Sequence, residues 1–331
     1  MRVCLITSRP GHPLLAATTA LLTPRHEVDS IDPEAGHDAS RPSVSGGALA
    51  DVYLLKARTP RALALARSFE ERGAPVVNSA AATGLCQDRT AMAELAGSAG
   101  LPFASTRTVA ALRQLAAEPA LPYPLVVKSR YSRRHDLVAR VDDAVRMRRL
   151  CAEWPDEPVV VQPFTANSGW DHKLWVIAGQ VFAALRRSEL ADSRSEPDSR
   201  SEPDSRSEPD SRSVPDSQDM TGAGAVTAAD HNPGPDPGPG SGSRGPTLPL
   251  ALADLPGGWL DLVRRVGSVF ALDVYGVDLI DAGGGAPLIV DINAFPGVRG
   301  QSGAPEALAA LALRAATGEA AGEAEAATVP G

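Results

Sequence analysis

The chain has 331 residues, 43% of them hydrophobic and 4% aromatic, and a net charge of −8. That length accommodates two or three domains with real cores, and no uncharged apolar stretch approaches the roughly 18 residues of a membrane span. The acidity is local: residues 188–250 hold twelve acids and five arginines and three glutamates follow Gly318, so net charge identifies no partner.

Taken in order, short apolar runs at 2–7, 26–31, 51–56 and 75–78 read as strands, with helices at 13–22 and 60–73. Strands alternating with helices predict a small parallel sheet covered on both faces. Ligands of such sheets bind at the carboxyl ends of the strands, where Arg9, His12, Lys56 and Arg58 fall. No G-x-G-x-x-G follows the first strand, so a dinucleotide site is not expected.

A second unit begins near residue 80. Asp88 is placed to cap a helix running to 98, and Gly100 to end it. An extended segment at 101–109, a helix at 110–118, adjacent strands at 124–129 and 137–141, a helix at 142–153 and a strand at 158–164 follow. Between the adjacent strands lies Arg130-Tyr-Ser-Arg-Arg-His-Asp136. In a third unit starting at Trp170, a strand at 171–177 puts Asp171, Lys173 and Trp175 on one face. Gly179 turns the chain into a strand at 180–187, and helices are expected at 257–271 and 304–316. Residues 193–216 are four near-identical Ser-Arg-Ser-Glu/Val-Pro-Asp hexapeptides, and a Gly/Pro/Ser/Asp tract follows. Regular proline with few apolar residues precludes a packed core, so 188–250 is expected to be a disordered insertion and 318–331 a disordered tail.

The most informative stretch is a hairpin of two alternating, β-branched runs, 273–281 and 288–294, around a glycine-rich break. Centring the turn on Gly284 and Gly285 places Asp278 directly across from Asp291. Gly276 then lies across from Asn293, which leaves open space there. Opposed carboxylates repel each other, and a bound cation removes the conflict. Oxygen-only ligands suit Mg²⁺ (or Mn²⁺). The basic residues are almost all arginine. Only Lys56, Lys128 and Lys173 are lysine, each at or near a strand end, where a compact point charge has a use.

This ordered set resembles the ATP-grasp superfamily, in particular ribosomal-protein glutamate ligases and related amino-acid ligases. The Asp-Ile-Asn-Ala-Phe-Pro-Gly form is also similar to inositol-phosphate kinases of the same fold. The match covers 1–187 and about 255–316. The resemblance implies an ATP-grasp fold of mixed α/β and α+β class. Its parts would be an N-terminal α/β domain at 1–79, a central subdomain at 80–164, and a C-terminal subdomain at 165–187 and 251–317. It further implies that Lys128 contacts ATP phosphates and that Gln162, Pro163 and Phe164 border adenine. Asp278, Asp291 and Asn293 would hold two Mg²⁺ ions. Lys173 and Arg187 (or Arg186) would lie near the transferring phosphate and the acceptor. Asp88-Arg89 matches the family's Asp-Lys pair, whose lysine approaches the nucleotide. Arg299, beyond the Pro-Gly turn, and Lys56 are expected at the substrate.

Two departures stand out. Arg89 replaces lysine, and the small, glycine-rich loop of the family is here rich in arginine and tyrosine. Arg130, Arg133 and Arg134 either supply side-chain phosphate contacts or form a solvated loop. The expected activity is an ATP-dependent carboxylate–amine ligase working through an acyl phosphate and releasing ADP and phosphate. Alternatives are a kinase of a polyol or inositol phosphate and a non-catalytic ATP-binding regulator. Expected partners are small-molecule or peptide carboxylates and amines, and further copies of the chain, since the family is often oligomeric. No membrane partner is expected, and no nucleic acid, because the arginine run at 130–149 lacks aromatic stacking platforms. Cys4, Cys86 and Cys151 have no metal-ligand spacing, and the first residues do not read as a signal peptide, so a cytoplasmic setting is expected.

Overall fold

The computed structural model describes residues 1–35, 48–133, 135–188, 190, 247–298 and 300–318. These form one compact unit built on three sheets. The first contains β1 (Arg2–Ile6), β2 (Glu27–Ile31), β3 (Val52–Leu55) and β4 (Val76–Val77), with helices α1 (Pro13–Leu22) and α2 (Pro60–Glu71). All its pairings are parallel, in the order β2-β1-β3-β4. Alternation sends Val3, Leu5, Val52 and Leu54 into a core shared with α1, and Cys4, Ile6, Tyr53 and Leu55 into one shared with α2. Both faces are therefore covered, as a parallel sheet requires.

The central unit contains α3 (Ala80–Leu85), α4 (Arg89–Ser98), β5 (Arg107–Val109), α5 (Leu112–Ala116), β6 (Leu125–Ser129), β7 (Val138–Val141), α6 (Ala144–Glu153) and β8 (Val159–Pro163). Its antiparallel sheet runs β5-β8-β6-β7. Asp88 caps α4 as expected, its Oδ1 accepting from the Thr90 N–H at 2.9 Å. Helix α3 was not foreseen, because its six residues carry no apolar period.

The third sheet runs β11-β10-β9-β12-β13, from β9 (Trp170–Ile177), β10 (Gln180–Arg187), β11 (Thr247–Pro249), β12 (Val274–Asp281) and β13 (Pro287–Ala294). Helix α7 (Trp259–Phe270) lays the stripe Trp259, Val263, Val266 and Phe270 against it. Tyr275 lies so close to Gly267 that a Cβ there would overlap its ring. Helix α8 (Ala304–Thr317) packs on α1 and the first sheet.

Residues 247–250, expected to be disordered, are a correction. Thr247–Pro249 pair with Ala184–Arg186, and Leu250 packs on the α7 core. Two leucines supply apolar surface the preceding tract lacks, and an edge strand tolerates Pro249. The remainder of that segment, 191–246, and residues 319–331 of the tail lie outside the described residues. Among the described residues no helix is long and apolar enough to cross a membrane.

Candidate active site

Strand register builds one face of the third sheet. The tight Ala178-Gly179 turn sets Lys173 across from Ala184 and Asp171 across from Arg186. On the other side of β9, Lys173 opposes Asp278 and Trp175 opposes Gly276. Next, Asp278 opposes Asp291 and Gly276 opposes Asn293, the register expected from the sequence. Directly opposed residues share a face. Arg186, Asp171, Lys173, Asp278, Asp291 and Asn293 thus form one charged surface across four strands.

The register then shifts between Asp278 and Leu279, leaving Val290 as a bulge. Such a bulge re-aims a group and unpairs it from the ladder. Here the Val290 carbonyl accepts from Lys128 Nζ at 2.8 Å. Lys128 lies in β6, so the central sheet delivers its lysine to the acidic hairpin. It is 6% exposed. Burial pushes its pKa below the usual lysine value, partly countered by Asp291.

Lys173 Nζ is 2.7 Å from Asp278 Oδ2 and 3.6 Å from Asp171 Oδ2. Burial works against the ammonium, but Asp278 and Asp171 outweigh it and hold its pKa above the usual value. Burial and, beyond the opposing pull of Lys173, the Asp291 charge push Asp278 above the usual carboxylate range. Asp291 Oδ2 is 3.7 Å from Arg89 Nη2. Two carboxylates and an amide oxygen form a hard donor set that fits Mg²⁺ or Mn²⁺, with remaining positions for water and phosphate. Among the described residues no three His, Cys, Asp or Glu side chains converge as a metal-binding group. Buried Cys4 and Cys86 have thiols pushed up to about 12, first by burial, which argues against nucleophilic roles.

The first unit closes the other end of the face. Lys56 Nζ donates to the Phe295 carbonyl at 2.6 Å and lies 5.5 Å from that ring's centre. Phe295 is buried with φ of +43°, a left-handed conformation costly for a bulky residue and typical of functional turns. A Cβ on Gly297 would sit 3.2 Å from His12 Nε2. Buried Asn78 accepts from the Asp273 and Val274 N–H groups and donates to the Val274 carbonyl, fixing the start of β12.

Several expectations need correction. Arg187 opposes Trp170 and is exposed, 6.0 Å from that ring's centre; alternation puts Arg186 on the charged face instead. The space opposite Asn293 is not open, because Pro296 and Trp175 each approach to 3.2 Å of where a Gly276 Cβ would be. In the loop after Lys128, Tyr131, Arg133 and His135 are exposed, yet the described arginines are paired within the protein. Arg130 forks onto Asp88 at 2.7–3.1 Å, and Arg133 pairs with Glu157 at 2.7 Å. Arg89, expected near the nucleotide, is 7% exposed and has partners inside the protein. Its Nη1 donates to Asp136 at 2.7 Å and to the Ser129 carbonyl at 2.8 Å. Arg134 and Arg299 lie outside the described residues.

On the expected adenine side, buried Gln162 donates to Thr106 Oγ1 at 2.9 Å. Pro163 opposes Leu125, and the Phe164 ring lies 3.9 Å under the Arg140 guanidinium. Sequence reasoning missed Asp136, which no local pattern marks. Arg186, named as the alternative to Arg187, follows from the register that the two-residue Ala178-Gly179 turn dictates.

The sequence matches no protein-family model and no curated protein. Solved structures do match in shape. A RimK domain ATP-grasp protein from Sphaerobacter thermophilus is 18% identical with a TM-score of 0.60, over 95% of this chain and 100% of that one. The ATP-grasp ligase PsnB, complexed with a minimal precursor, is 17% identical with a TM-score of 0.60, over 94% and 98%. D-alanine–D-alanine ligase from Bacillus anthracis is 14% identical with a TM-score of 0.61, over 96% and 99%. The chain has the ATP-grasp fold.

Proposed function

We propose that this chain is an ATP-dependent ligase joining a carboxylate to an amine through an acyl phosphate. The observation that carries the reading is the meeting of buried Lys128, brought by the central sheet, with the Lys173–Asp278–Asp291–Asn293 row. It puts ammonium groups and hard oxygen ligands at one place, as phosphoryl transfer requires.

Asp278, Asp291 and Asn293 would hold Mg²⁺ or Mn²⁺. Bound there, the ions would neutralise phosphate charge and polarise the transferring phosphoryl group. Lys128 would turn from the Val290 carbonyl to ATP phosphate oxygens, and Lys173 from Asp278 to the γ-phosphate. Arg186, rather than Arg187, would face the acceptor. The backbone of Gln162, Pro163 and Phe164 would border adenine. Lys56, bonded to the Phe295 carbonyl after β13, would hold the acceptor's negative charge, and so would Arg299.

The acceptor carboxylate oxygen attacks the γ-phosphorus and ADP leaves. The amine then attacks the acyl carbon, phosphate leaves, and the amine loses a proton to solvent. Structures of the same fold support these partners: PsnB has been solved with a minimal precursor, Mg and ADP and with a precursor peptide and AMPPNP, and D-alanine–D-alanine ligase with ATP. A second reading, a kinase of an anionic polyol, is favoured by the closeness of Lys56 and His12 to the Phe295–Gly297 turn.

An ADP-release screen over amino acids, short peptides and polyols, with products identified by mass, separates them. The ligase reading expects sustained ADP release only with an acid and an amine together, an amide product, and no release by Asp291→Ala. Release with an alcohol but never with an acid would overturn it in favour of the kinase.

A further inference from the structure

Arg89 and Asp136 lie outside the row of oxygen ligands, yet they reach it. Arg89 opens α4, and Asp136 ends the loop that follows β6. Their side chains are only 8% and 15% exposed. Asp136 and the Ser129 carbonyl both take hydrogen bonds from Nη1. Nη2 is left 3.7 Å from Asp291 Oδ2. A guanidinium is a rigid planar fork, so holding Nη1 at two acceptors fixes where Nη2 points. Without Asp136, Arg89 would be free to close fully on Asp291 and compete with a cation for the same oxygens.

We propose that Asp136 is a positioning residue for the metal site, holding Arg89 where it orients Asp291 without capturing it. The inference rests on the reading of Asp278, Asp291 and Asn293 as ligands of a divalent cation. In this arrangement the loop after Lys128 serves the metal side of the site, with Arg130 and Arg133 anchoring it to Asp88 and Glu157.

The test is Mn²⁺ binding to the full chain, followed by electron paramagnetic resonance with a non-hydrolysable ATP analogue and needing no turnover. Asp136→Asn is expected to weaken Mn²⁺ binding about 10-fold or more, the range for residues that orient metal ligands. Metal-free analogue affinity should be unchanged. Arg89→Lys alone should also weaken Mn²⁺ binding, because an ammonium has no plane to transmit the constraint. Adding D136N to R89K should then change little. Mn²⁺ affinity of D136N within about two-fold of wild type, or the same loss in both backgrounds, overturns the proposal. If D136N does not fold, R89K decides: weakened binding supports the proposal and unchanged binding overturns it. Failure of the wild-type chain to bind Mn²⁺ at all would instead overturn the metal-site reading, and this inference with it.

Discussion

The face of β9, β12 and β13 and the loop after β6 both concentrate charge, and they arrange it differently. On the sheet, like charges are brought together by strand register: Asp278 faces Asp291, with Lys173 and Arg89 paired to them. In the loop, each described charge meets an opposite one: Arg130 with Asp88, Arg133 with Glu157, Asp136 with Arg89. The sheet keeps an unresolved repulsion that a cation can relieve. The described charges of the loop are paired, and the loop acts as a brace. Charge density alone does not mark a site; the residual conflict does.

The sharpest way to break this contrast is to remove a cation from each region. Lys128→Ala should lower kcat/KM for ADP release by about 100-fold or more, the usual cost of losing a charge-stabilising donor. An effect below about five-fold would separate Lys128 from the chemistry. Lys173→Met leaves Asp278 buried without its partner. It should lower unfolding free energy by on the order of 3 kcal/mol in metal-free denaturant titrations, and added Mg²⁺ should restore part of the loss.

Arg130→Ala removes a half-exposed fork from the brace, so about 1 kcal/mol is expected by the same titration. Smallest of all is a pH effect. Burial raises the Asp88 pKa, but the Arg130 hydrogen bond and the helix N–H groups outweigh it and leave it depressed. The Arg133 hydrogen bond depresses Glu157 likewise. A carboxyl depressed in the folded state adds stability above its ordinary pKa and loses it as pH falls through the folded one. Acid titration of stability should therefore steepen below the usual carboxylate range, and Asp88→Asn should flatten that slope.

The two regions also differ in how far the sequence disclosed them. Alternation and a glycine turn were enough to put Asp278 opposite Asp291, because a ladder has few registers. The same logic reaches Arg186 through the Ala178-Gly179 turn, although Arg187 was preferred. The Val290 bulge left no mark, since one extra apolar residue in a strand looks like any other. Gly276 promised open space because the return of Pro296 over the strand depends on the left-handed turn at Phe295. The brace was illegible for a different reason. Arg89 and Asp136 are 47 residues apart, and charged side chains in loops have no period. The parallel first sheet was legible throughout from its strand–helix alternation, whereas the pairing of 247–249 depended on three residues at the end of a tract with the opposite composition.

The opposed carboxylates Asp278 and Asp291 are proposed as a divalent-cation site facing ATP. The most direct measurement is a crystal structure with Mn²⁺ and a non-hydrolysable ATP analogue, using anomalous scattering to locate manganese. The account predicts manganese at roughly 2.1 Å from oxygens of Asp278, Asp291 and Asn293, with Lys173 turned from Asp278 to phosphate. Bound nucleotide with no manganese between those residues, and Lys173 still on Asp278, would contradict it.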